Sequence, residues 1–172
     1  MTQTRSGLNP AGRTITFINP GRSNLKTPKM FERILVAIDG SEDSSKAADI
    51  AIDLAKKKNA SLFVVTVVHN PVYAHTEQGA PAQQPVDKAR TDAEGFLKVT
   101  VTRVEAQGLK VRGEVIENVP SVVDAIADYA EEWKVELVVV GTRGLTGLKK
   151  ILLGSVSAAL VSRAPCSVLV VR

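Results

Sequence analysis

Cysteine occurs once in these 172 residues, at Cys166, which excludes an internal disulfide and a cysteine-rich metal site and fits a reducing, cytosolic setting. Histidine is nearly as scarce. His69 and His75 are the only two, and both sit in or beside a loop rich in Pro and Gln, where imidazoles are solvated more often than catalytic or ligating. Neither a Walker-type lysine motif nor a dinucleotide fingerprint occurs, so the familiar routes to phosphoryl transfer and hydride chemistry are missing. No apolar run approaches the roughly 18 residues that span a bilayer, and the first 29 residues hold nothing like a signal-peptide core. No membrane role is expected.

Acidic residues are absent from those first 29 positions, which carry Arg5, Arg13, Arg22, Lys26 and Lys29. The formal charge of +4 rests on that segment, because removing its five cations leaves 17 basic against 18 acidic residues. A near-neutral body lacks the clustered basic face of a nucleic-acid binder, and no nucleic-acid partner is expected. Residues 1–29 are rich in Thr, Asn, Gly, Pro and Arg, show no helical or strand period, and read as a disordered basic extension. An organelle transit peptide is the alternative, against which stands the lack of an amphipathic helix.

Patterned sequence begins at Met30, and 44% apolar content suits one globular domain over residues 30–172. Short apolar runs alternate with longer helical ones, the signature of a parallel sheet wrapped by helices. Strands are expected at Ile34–Ile38, Leu62–Val68, Val111–Ile116 (a weaker edge), Glu136–Val140 and Ser167–Val171. The first helix follows Asp39-Gly40-Ser41, places Ala47, Ala51, Leu54 and Ala55 on one face, and closes at Lys56-Lys57-Lys58-Asn59. A second runs from about Asp87 to Gln107 with Gly108 as its stop. The third has Pro120 in its first turn and Val122, Ile126, Tyr129 and Trp133 on its core face. A short fourth covers Ser155 to Arg163. The stretch from His69 to Pro85 reads as a long loop.

The most informative pattern follows the apolar run Leu137-Val138-Val139-Val140. Gly141-Thr142-Arg143-Gly144 is succeeded by nine residues and then Gly154-Ser155. Glycines let backbone N–H groups approach an anion closely, and a helix starting there adds unsatisfied N–H groups and a positive dipole end. Taken singly, each residue has a plainer explanation: the glycines turn the chain off a strand, and Ser155 is an ordinary N-cap. The combination points to a phosphate cradle, since a connection from Thr142 to Leu153 is long for a segment with no task.

Three separated motifs, Arg33-Ile-Leu-Val-Ala-Ile-Asp-Gly-Ser41, Gly141-x2-Gly144-x9-Gly154-Ser155 and Ala164-Pro165-Cys166-Ser-Val-Leu-Val-Val-Arg172, together resemble the universal stress protein family over Met30 to Arg172. The resemblance implies an open five-stranded parallel sheet of order 3-2-1-4-5 with helices on both faces, of the adenine nucleotide alpha hydrolase-like kind. Its first and fourth strands meet where the winding reverses, and ligands of such sheets bind beyond the strand ends there. One branch of the family binds ATP through the glycine pattern, which is complete in this chain. Glu117-Asn118-Val119-Pro120 departs from the family's usual glycine before the third helix, away from that pattern.

Carried over residue by residue, the resemblance implies that Ala37, Ile38 and Asp39 border the nucleoside, with the Asp39 carboxylate accepting from ribose hydroxyls, and that Val67 flanks adenine. Gly141, Arg143 and Gly144 would approach ribose and phosphates, and Gly154, Ser155, Val156 and Ser157 would hold phosphates at the helix start, with Lys149 and Lys150 adding charge. Asp39 has a simpler role open to it, turning or capping the chain before the first helix, for which Ser41 is the better-placed cap. The implied ligand is ATP with Mg²⁺. The implied assembly is a homodimer through Ser167–Val171, whose open apolar edge requires cover. The leading functional expectation is a cytoplasmic, ATP-dependent switch or regulator in stress response, without catalytic residues. A slow ATPase or phosphoryl-transfer enzyme and a nucleotide-free dimeric interaction module are the alternatives.

Overall fold

The computed structural model describes residues 3–8, 14–19, 30–69, 83–144 and 153–172, with side chains from 30 onward except 83–87. The expected lysines Lys149 and Lys150, the histidine His75 and residues 70–82 of the expected loop from His69 to Pro85 lie outside the described residues. In chain order the elements are β1 (Gln3–Leu8), β2 (Thr14–Asn19), β3 (Arg33–Ala37), α1 (Glu42–Lys58), β4 (Ser61–His69), α2 (Gln83–Glu105), β5 (Val111–Val119), α3 (Val122–Glu132), β6 (Leu137–Gly141), α4 (Ser155–Arg163) and β7 (Ser167–Val171).

Five strands form one parallel sheet in the order β5-β4-β3-β6-β7. Counted within the body, that is the expected order 3-2-1-4-5. The two central strands, β3 and β6, pair Ile34 with Leu137 and Val36 with Val139, so their carboxyl ends stand side by side where the winding reverses. Strands buried on both faces read as continuous apolar runs, and Ile34, Leu35, Val36, Val64, Val65, Val138 and Val139 are completely buried. Alternate residues feed two cores. Ile34, Val36, Leu62, Val64 and Val139 pack with the small face of α1 (Ala47, Ala48, Ala51, Ala55) and with Val104 of α2. Leu35, Phe63, Val65, Val138 and Val140 pack with Ile126, Tyr129 and Ala130 of α3 and Leu160 of α4.

Local signals account for most element ends. Ser41 caps α1 by accepting from Ser44 N at 3.2 Å, and Asn59 closes it in the left-handed conformation, φ 54°, after three lysines that complement the dipole. Trp133 packs against Phe63 and Tyr129 with the Arg112 guanidinium over its ring, a packing role rather than a ligand platform.

Four expectations are corrected. The second helix of the body begins at Gln83, so Gln83 to Pro85 belong to it and not to the loop; a proline is tolerated in a first helical turn, whose N–H groups have no intrahelical acceptor. Pro120 stands outside α3, whose cap is Ser121 accepting from Asp124 N; a cap needs a side-chain acceptor, which the serine hydroxyl supplies and the proline ring lacks. Strand β5 continues to Val119, because its ladder with β4 carries on through the Val68/His69 irregularity. Within the extension, Gln3–Leu8 and Thr14–Asn19 form an antiparallel ribbon. Its second strand, Thr-Ile-Thr-Phe-Ile-Asn, is a sequence rich in β-branched and aromatic residues.

Candidate functional site

The cleft opens beyond the carboxyl ends of β3 and β6. Of the residues singled out from the sequence, the eleven that the structure describes all line it: Ala37, Ile38 and Asp39 at the end of β3, Val67 near the end of β4, Gly141, Arg143 and Gly144 at the end of β6, and Gly154, Ser155, Val156 and Ser157 at the start of α4. Five more complete the lining: Ser44, Val122, Ile126, Val140 and Thr142. The space, about 660 Å³ with its solvent-open mouth included, is a cleft rather than an enclosed cavity.

One wall is the β3–α1 turn. Gly40 makes it with φ +83°, a conformation that side chains resist. Asp39 Oδ1 accepts from Ser41 N at 3.0 Å and from Ser41 Oγ at 2.6 Å. The turn role is therefore present, and it fixes the carboxylate at the cleft instead of competing with a ligand role. The same Ser41 hydroxyl has the Arg143 carbonyl as a second acceptor at 3.3 Å, bridging to the opposite wall.

That opposite wall is built on close backbone approach. A Cβ on Gly141 would stand 2.7 Å from the carbonyl carbon of Asp43, and one on Gly144 would stand 2.5 Å from Asp39 Oδ2. The glycines are thus required for the fit of α1 and of the Asp39 carboxylate, beyond any turn. Gly154, not Ser155, caps α4, and no side chain caps it. Ser155 is the first helical residue. Ala158 N donates to Gly154 O at 2.9 Å, so the N–H groups of Ser155, Val156 and Ser157 face the cleft end with no intrahelical acceptor. Ser157 turns its hydroxyl inward to Gly154 O and Thr142 O, at 2.9 and 3.1 Å. Its contribution to the cleft is its amide.

Arg143 is the only cation and Asp39 the only carboxylate among the described residues that line the cleft. Arg143 Nε lies 3.6 Å from Asp43 Oδ2 and is a buried nitrogen without a hydrogen-bond partner among the described residues. Asp43 stands behind the lining. The Thr142 hydroxyl, 2.7 Å away, holds its carboxyl below the ordinary carboxylate range, with burial opposing and the Arg143 and Lys46 charges assisting. The lower floor is apolar, from Val67, Val122, Ile126 and Val140. Such a site offers apolar side chains on one part and amide donors with a helix dipole on another, an arrangement that suits a ligand with an apolar body and anionic groups.

Sequence reasoning missed Val122 and Ile126 because their i, i+4 spacing marks a core face and nothing more. Thr142 occupied a variable place within the glycine spacing, and no signal distinguished it.

The profile of the Universal stress protein family matches residues 30–172. The chain belongs to the universal stress protein family. Universal stress protein YxiE of Bacillus subtilis is 36% identical over 148 residues, covering 83% of this chain and all of that protein. Among solved structures, universal stress protein UspA from Lactobacillus plantarum superimposes with a TM-score of 0.71 at 25% identity, over 83% of this chain and 99% of that one. A universal stress protein crystallised in complex with cAMP has a TM-score of 0.62 at 30% identity, over 83% and 97%.

Proposed function

We propose that the cleft binds ATP and that this universal stress protein acts as a nucleotide-dependent regulator in stress response. The observation that carries the reading is convergence: the Asp39 carboxylate, the glycine-lined backbone after β6 and the uncapped start of α4 meet around one cleft with an apolar floor. In this reading Val67 and the floor take adenine, Asp39 accepts from the ribose hydroxyls, and Gly141, Arg143 and Gly144 lie along ribose and phosphates. The amides of Ser155, Val156 and Ser157 take the phosphate end. The structural relative crystallised with cAMP supports an adenine nucleotide as the ligand class.

Mg²⁺ enters as the counter-ion of the phosphates, since it keeps several waters and needs only one or two carboxylates besides phosphate oxygens. Asp39 is the one carboxylate among the described residues that line the cleft. Binding is the functional event, and regulation follows from occupancy. The outer edge of β7, where Val168, Leu169 and Val170 are only half-buried, supports pairing with the same strand of a second copy. The unpaired Cys166 suits the cytoplasm, where ATP is also available.

Calorimetry with ATP on wild type, Gly144→Asp and Gly154→Asp tests the reading. Both variants put a carboxylate where the phosphates would lie and are expected to bind far more weakly. Equal affinities for the three proteins overturn the proposal. Ultracentrifugation tests the assembly, and a monomer at every accessible concentration rules out the β7 pairing.

A further inference from the structure

Thr142 uses every polar atom it has. Its N–H donates to Val171 O on β7 at 2.7 Å, and its carbonyl accepts from Gly154 N at 2.7 Å and Ser157 Oγ at 3.1 Å. Its hydroxyl donates to Asp43 Oδ2 at 2.7 Å. One residue, 7% exposed, therefore ties together the end of β6, the outer strand β7, the start of α4 and the first turn of α1.

Asp43 has the position of an ordinary helix N-terminal acid, and such acids commonly serve the dipole from solvent. Its neighbour Glu42 does that, with a side chain 83% exposed, whereas the Asp43 side chain is 15% exposed. Asp43 is turned inward, onto Thr142, with Arg143 Nε at 3.6 Å and Lys46 Nζ at 3.8 Å. Gly141 permits this, since any side chain there would strike the Asp43 backbone. Asp43 does not itself line the cleft, so whatever it does for a ligand it does through Thr142 and Arg143.

Amide donors serve an anion only when they are aimed, and small misplacement costs much of the interaction. The donors after β6 and those at the start of α4 are far apart along the chain, with Gly144 and Gly154 ten positions from one another. Their mutual placement is set by hydrogen bonds to the Thr142 carbonyl. We propose that Thr142 and Asp43 are the positioning residues of the nucleotide cleft. Thr142 clasps the start of α4 to the end of β6, and Asp43 locks the Thr142 side chain against α1. The inference rests on the nucleotide reading above, and its test separates the two.

Thr142→Val keeps the branched shape and removes the hydroxyl. ATP affinity by calorimetry is expected to fall about tenfold, as when a carboxylate loses its donor, and Thr142→Ser, which restores the hydroxyl, rescues it. A second readout needs no ligand. In nucleotide-free protein, exchange of the Gly154 amide hydrogen is expected to run about tenfold faster in Thr142→Val than in wild type or Thr142→Ser. Asp43→Ala reaches the same clasp from α1 and provides both readouts should Thr142→Val fail to fold. In the double variant the two losses do not add, because one interaction is removed twice.

Wild-type affinity together with wild-type exchange in these variants overturns the inference. So does weaker binding without faster Gly154 exchange, which would make the hydroxyl a direct ligand contact. Faster exchange with unchanged affinity also overturns it, leaving the clasp structural only. If wild type binds no ATP, the nucleotide reading fails on its own, and Gly154 exchange still decides whether the clasp exists.

Discussion

Replacing Gly144 by alanine separates a binding effect from a folding effect. Gly144 needs no special backbone conformation, as it is absent from the positive-φ glycines, and among the described residues the only side chain near a Cβ there is Asp39. That Cβ would stand 2.5 Å from Asp39 Oδ2, so the carboxylate must retreat by about 1 Å to reach ordinary contact. Its other oxygen is held by Ser41 N and Ser41 Oγ at 3.0 and 2.6 Å. A shift of that size stretches both beyond hydrogen-bonding range. In the free protein the carboxylate swings to water, and stability should change by less than about 1 kcal/mol. A ligand that needs Asp39 in place must restore the strained arrangement, at a cost of about 1.5 kcal/mol for hydrogen bonds to a charged group. That is about tenfold in affinity.

Gly141→Ala is the contrast. Its Cβ meets the Asp43 backbone at 2.7 Å, which cannot swing away, so overpacking should cost about 1–3 kcal/mol of stability. Calorimetry with ATP and adenosine, beside denaturant unfolding of both variants, checks the pair. Wild-type affinity in Gly144→Ala, or a stability loss as large as that of Gly141→Ala, would refute the reasoning.

The remaining expectations concern stability. Asp43 titrates below its ordinary value of 3.8, first because of the Thr142 hydroxyl; its contribution is complete above that value and drains as pH falls through the folded one. The unfolding free energy that separates wild type from Asp43→Asn at about pH 6 should therefore shrink by about pH 3.5, as followed by urea titration at the two pH values. Asn59 holds the left-handed end of α1 at φ 54°, so Asn59→Ala should lower stability by about 1 kcal/mol while Asn59→Gly does not. Thermal melts of the two variants distinguish a conformational cause from the loss of a side-chain contact. Gly40→Ala combines φ +83° with a clash against the Phe96 ring and should cost more than about 2 kcal/mol; a melting temperature equal to that of wild type would contradict it.

Periodicity located the elements of the body because parallel strands buried on both faces must be apolar throughout, and their helices must alternate small or apolar faces with charge. The run Leu137 to Val140 and the spacing of Ala47, Ala51 and Ala55 could be little else. Ends governed by local capping, such as Ser41 and Asn59, were legible for the same reason. Ends governed by pairing were not: β5 runs on to Val119 because β4 lies beside it, and nothing within Glu117-Asn118-Val119 announces that. The ribbon of Gln3–Leu8 and Thr14–Asn19 escaped notice because a basic, Gly- and Pro-bearing composition masked two short alternating runs.

The chain alone determined which residues could serve an anion, since glycines and a helix start carry that chemistry in their own backbone. It also determined the family, through three motifs at characteristic spacing. Only the folded molecule decided how the motifs cooperate. Asp39 and Gly144, far apart in sequence, define one wall-to-wall contact, Asp43 reaches the cleft only through Thr142 and Arg143, and Ser157 turns its hydroxyl away and offers an amide. Backbone donors and carboxylates act over a few ångströms, and distances of that size between remote residues exist only once the sheet has set β3 beside β6.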